Sequence, residues 1–135
     1  MASMSLTLEL SPDVLAVCRL APDSALPAWA LAARFFSITR TADEVSIVCA
    51  AGIVPPGVSA VGGWRRLRVA GTLDFALTGI LAALAQPLAD AGVSVFAVAT
   101  YNTDYLLVRE RQLAEALAAL GDAGHRIVPV GDAVS

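Results

Sequence analysis

Between positions 94 and 110 the chain reads Ser-Val-Phe-Ala-Val-Ala-Thr-Tyr-Asn-Thr-Asp-Tyr-Leu-Leu-Val-Arg-Glu, and its middle gathers Thr100, Tyr101, Asn102, Thr103 and Asp104. An aromatic ring, two hydroxyls and a carboxylate side by side suit recognition of a small polar ligand. Asn and Asp also suit a tight turn, because their side chains bond nearby backbone and tolerate unusual dihedrals. Catalysis is a poor fit. His125 is the one histidine, and it has no acid or nucleophile near it in sequence. No nucleophile elbow, phosphate loop, paired metal ligands or dinucleotide fingerprint occurs. The expectation is a protein with no catalytic residues, no metal and no cofactor.

Something must hold that turn in place. Ser94, Phe96, Val98 and Thr100 alternate with Val95, Ala97 and Ala99, which is the period of a strand, and a second strand follows Asp104. Ahead of the pair, a helix is predicted from about Asp74, with Asp74 or Thr72 as N-cap, to about Ala91. Leu77, Ile80, Leu81, Leu84 and Leu88 form its buried face, with a bend at Pro87 and a stop at Gly92. A second helix is expected over 110–120, with Leu113, Leu117 and Leu120 inward, and strands over 64–70 and 125–130. The order strand, helix, strand, strand, helix, strand implies two helices on one face of a four-stranded antiparallel sheet, the ferredoxin-like arrangement.

The first half shows a degraded version of that order. A hairpin of 6–10 with 14–20 opens it around Ser11-Pro12-Asp13. A short helix capped by Ser24 follows, then strands over 34–39 and 45–50. The Gly- and Pro-rich stretch 52–63 separates the halves, giving modules at 1–60 and 61–135.

Composition narrows the partners. Hydrophobic residues make up 57% of 135 positions and charged residues 16%, so some apolar surface is expected to meet a partner. No apolar run is long enough to span a membrane. All nine basic residues are Arg and the net charge is −3, which argues against nucleic acid. Arg65, Arg66 and Arg68 are expected to form a solvated face. Cys18 and Cys49 lie in apolar segments and read as buried free thiols of a cytoplasmic protein.

Three stretches carry a family likeness: 35–44, 80–88 with its internal Pro87, and above all 93–95 followed by 100–110. With the order of elements, they resemble tandem ACT-domain proteins, specifically the ACT-like pairs of cytosolic arginine-sensing proteins and their bacterial relatives. The resemblance implies an α+β fold of two tandem ACT modules and a regulatory role in binding an amino acid or similar zwitterion. Where those relatives hold two pairs, this chain holds one, so a homodimer is implied, with ligand between second modules. Carried over by position, Ser94 and Val95 contact ligand from one module. Phe75, Gly79, Thr100, Tyr101 and Asp104 contact it from the other.

The chemistry of those positions is coherent. A helix start after Asp74 offers free N–H groups to a carboxylate, and Gly79 lets the ligand approach. Carbonyls near Thr100 and Tyr101 accept from an amino group, and Asp104 supplies the one anion of the turn. Leu77 stands where the arginine sensors carry an acidic residue. Its apolar side chain beside the pocket favours a neutral amino acid over a guanidinium. The alternative function is a structural dimerisation or protein-docking module with no ligand.

Overall fold

A computed structural model describes residues 4–71 and 79–131. The strands are β1 (Thr7–Leu10), β2 (Leu15–Leu20), β3 (Ser37–Arg40), β4 (Val45–Ala50), β5 (Ser59–Val69), β6 (Val95–Ala99), β7 (Asp104–Arg109) and β8 (Arg126–Pro129). The helices are α1 (Ala28–Leu31), α2 (Ile80–Asp90) and α3 (Leu113–Asp122), with short 3-10 turns at Ala51–Ile53 and Glu110–Gln112. All eight strands form one sheet in the order β3-β4-β2-β5-β1-β8, with β7 on the other edge of β5 and β6 on β7.

The expected opening hairpin does not form. β1 and β2 lie end to end along one edge of β5, with Leu8 opposite Val69 and Leu15 opposite Trp64. The link between them is pinned to β5 instead of turning back. Ser11 N–H donates to the Arg66 carbonyl at 3.3 Å, the Arg65 guanidinium donates to the Ser11 carbonyl at 3.0 Å, and Arg66 grips Asp13 at 3.2 Å. These arginines are therefore not a solvated face: Arg66 is buried, its guanidinium 4.3 Å from the Phe35 ring centre, and Arg68 meets Glu9 at 2.8 Å.

β5 also runs through the stretch read as a separator. Gly62 and Gly63 sit inside it, where the register against β2 slips by one between Leu15 and Val17. Gly63 has φ +74°, a conformation other residues resist, so the glycines make a bulge that lets one long strand serve both halves of the sheet. The N-terminal strand β1 lies between β5 and β8, antiparallel to the first and parallel to the second, so the strand set expected around 64–130 has an additional member.

Helix α1 is shorter than the sequence suggests. It has four residues, and Pro27 rather than Ser24 stands at its N-cap with no side-chain cap. α2 and α3 cover one face of the β5–β8 region, where Ile80, Leu84, Leu88, Ala116 and Leu120 pack on Leu8, Leu67, Val69, Leu106 and Val108. Each fully buried Leu there contributes on the order of 2 kcal/mol. Leu81 departs from the predicted buried face and is exposed. A second core joins Ala30 to Ala16, Cys18, Val45, Ile47 and Cys49. A third forms between the faces that carry no helix: Leu15 and Val48 meet Val98 and Leu107, bordered by Phe35, Trp64, Phe96 and Tyr105.

Candidate functional site

The two threonines of the polar turn bond each other. Thr100 donates through both its N–H (2.9 Å) and its hydroxyl (2.8 Å) to the Thr103 carbonyl, and Thr103 N–H returns a bond to the Thr100 hydroxyl at 3.3 Å. Thr103 is 3% exposed, and its own hydroxyl donates to the Val69 carbonyl at 2.7 Å. Asp104 is the first residue of β7, half-buried opposite Ala99. Tyr101 stands out at the tip, 80% exposed.

Ser94 and Val95 lie at the far end of β6. Ser94 N–H donates to the Gln112 side-chain oxygen at 3.4 Å, and the Gln112 side-chain nitrogen donates to the Gly92 carbonyl at 3.1 Å, which ties the strand start to the turn before α3. The half-buried Val95 side chain packs against the helix-covered core. Six residues separate Ser94 from Thr100, roughly 20 Å of strand at about 3.3 Å per residue. Within one chain Ser94 and Thr100 therefore stand at opposite ends of β6.

Gly79 is not inside the helix. It is the N-cap of α2 with φ +81°, so its lack of a side chain serves the backbone turn into the helix. Phe75 and Leu77, like Asp74 and its predicted cap, lie outside the described residues.

Among the described residues β6 pairs with β7 alone, which leaves its other edge without a partner strand among them. Thr100 and Thr103 form a bonded pair, so by the alternation of an antiparallel ladder Val98 and Phe96 also bond β7. Val95, Ala97 and Ala99 then turn their N–H and C=O groups outward. Beyond that edge a cleft of about 200 Å³ is lined by Ser37, Thr39, Ser46 and Val48 together with residues 96–99. Sequence reasoning missed this cleft, because its hydroxyls come from two distant strands, each with ordinary alternation. The sequence marks Thr103 as part of the turn. Nothing in its type signals a bond to Val69, 34 residues away.

The remaining reactive groups are accounted for structurally. Cys18 and Cys49 are buried free thiols. Burial, then the neighbouring Cys18, pushes the Cys49 thiol from its ordinary 9.0 up to about 12. His125 is buried, accepting from Leu6 N–H at Nδ1 (3.1 Å) and reaching the Ala83 carbonyl from Nε2 (3.0 Å). Among the described residues no three His, Cys, Asp or Glu side chains gather as a metal site, and no helix is long and apolar enough to cross a membrane.

Residues 59–122 match the model of the ACT domain, and residues 13–56 match a model of an N-terminal domain. Protein Atu0741 from Agobacterium tumefaciens is 35% identical, with 96% of each chain covered and a TM-score of 0.90. VC0802 from Vibrio cholerae, a protein of unknown function, is 23% identical over 89% of this chain and 91% of its own, with a TM-score of 0.72. The regulatory subunit of aspartate kinase from Thermus thermophilus shares the fold at a TM-score of 0.61 and 14% identity, over 90% of this chain and 99% of that one.

Proposed function

We propose, from the premise that this chain belongs to the family of Agobacterium tumefaciens protein Atu0741 and carries an ACT domain, that it is a cytoplasmic, non-catalytic amino-acid sensor that works as a homodimer. ACT domains are regulatory, and the likeness to aspartate kinase regulatory subunits supports binding of a small molecule. On this reading the sheet is two ACT modules, 1–60 and 61–135, as in the arginine-sensor-like pairs, with β5 shared between them.

The open edge of β6 is the observation that carries the reading. Val95-Phe-Ala-Val-Ala99 has no charge, proline or bulge to block pairing, whereas the outer strands β3 and β8 carry Arg40 and Arg126. A twin β6 added antiparallel about Ala97 would engage every outward group: Val95 with Ala99 of the partner subunit, Ala97 with Ala97 of the partner subunit, and Ala99 with Val95 of the partner subunit. That register puts Ser94 opposite Thr100 of the partner subunit. The two sets of contacts, some 20 Å apart in one chain, become neighbours across a two-fold axis.

The ligand is then a small zwitterion. Strand-edge and turn carbonyls take its ammonium group, Asp104 faces its amine or side chain, and Leu77 favours a neutral amino acid over arginine. Thermal unfolding with each of the twenty amino acids at millimolar concentration, alongside a solution mass, tests the reading. One amino acid is expected to raise the melting temperature of a dimer, by about 2.7 kcal/mol of stability at a hundredfold excess over Kd. A flat response across all twenty would overturn it.

A further inference from the structure

Thr103 is 3% exposed and makes a bond that neither strand ladder provides. The last register pair of the β5–β7 ladder is Arg68 with Tyr105. Beside that pair, the Thr103 hydroxyl donates to the Val69 carbonyl at 2.7 Å and adds a side-chain tie at the end of the ladder. Val69 is held from its other side by β1, opposite Leu8, and the next residue's N–H donates to the Thr7 carbonyl at 2.9 Å. The Thr100 hydroxyl, by contrast, bonds to Thr103 within the turn. The Thr103 hydroxyl thus ties the turn bearing Tyr101 and Asp104 to the end of β5 and, through it, to β1.

We infer that Thr103 is the positioning residue of the candidate ligand turn and the link by which occupancy of the turn is felt at β5 and β1. The inference rests on the reading of that turn as a ligand site. The hydroxyl fixes the height of the Thr100 and Tyr101 carbonyls above the sheet. A ligand drawing on those carbonyls and on Asp104 pulls against a strand end instead of a free loop. A hydroxyl bonded to a buried carbonyl is costly to remove, whereas serine keeps the donor and loses only a methyl group.

The test compares Thr103→Val and Thr103→Ser in the full chain. Amide hydrogen exchange is read at 100–105 and at 70–71. Affinity is read for the amino acid that stabilises the wild type. Thr103→Val is expected to speed exchange in both stretches together, leave 106–108 protected and weaken binding about tenfold, while Thr103→Ser restores both. Unchanged exchange at 70–71 in Thr103→Val, or wild-type affinity in that variant, would overturn the inference. If the wild type bound no amino acid, the sensor reading would fall, and the exchange measurement would still decide whether Thr103 couples turn to strand.

Discussion

His125 Nε2 lies 3.0 Å from the carbonyl oxygen of Ala83, the oxygen that Pro87 leaves without its helical donor. A proline at that position has no N–H to give to the residue four before it. Leu6 N–H occupies the imidazole's other nitrogen at 3.1 Å, so that nitrogen is the acceptor and Nε2 carries the proton that repairs the helix. The lone histidine, which a functional reading would have spent on catalysis, ties β1, α2 and the start of β8 together.

His125→Ala is therefore expected to cost about 1–3 kcal/mol, since it strands the Leu6 N–H and the Ala83 carbonyl at once. Urea denaturation measures it. In a Pro87→Ala background the helix regains its own donor, so the same histidine substitution should cost less, and equal costs in the two backgrounds would refute the repair.

Asp13 and Arg66 form a buried pair at 3.2 Å, with 5% and 10% of their side chains exposed. Asp13→Ala leaves the guanidinium charge buried without its carboxylate and is expected to destabilise by about 3–5 kcal/mol. The paired change Asp13→Leu with Arg66→Met should cost less than the single one, because the buried charge goes with its partner. Denaturation of both variants checks this. A double variant weaker than the single would show that the Phe35 contact of Arg66, at 4.3 Å, outweighs the charge.

Cys49 supplies a pH prediction with a definite sign. Its thiol is raised from 9.0 to about 12 by burial first and Cys18 second, so the folded state holds a proton that the unfolded state releases. That contribution to stability is complete below pH 9.0, declines as pH rises above it, and is gone above about 12. Cys49→Ala should flatten the fall in stability measured between those limits. The native thiol should also resist alkylation at pH 8 until the protein is unfolded.

The parts legible in the sequence are those written locally. α2 and α3 showed their apolar spacing at Leu84, Leu88 and Leu120, and the 94–110 hairpin showed its alternation and turn. The partners of β1 were not legible. Glu9 faces Arg68 on one side and Val128 on the other, contacts far along the chain that no local pattern encodes. Gly62 and Gly63 read as a linker because a bulge and a linker want the same residue. At the candidate site the sequence gathered Ser94 and Thr100 into one run of residues. A strand holds them apart, and the proposed second copy would reunite them.

That reunion is open to a direct test at Ala97, which is exposed, lies at the centre of the free edge and has an outward N–H. Ala97→Pro removes that donor without touching a bond to β7, and Ala97→Lys brings two like charges face to face across the proposed axis. Both variants should fold, leaving ligand-free unfolding close to wild type, yet run at monomer mass in light scattering and lose the amino-acid response. Asp104→Ala should keep the dimer mass and lose the response alone. A dimer that survives both Ala97 changes would place the subunit contact elsewhere, and Ser94 and Thr100 would then have no route to a common ligand.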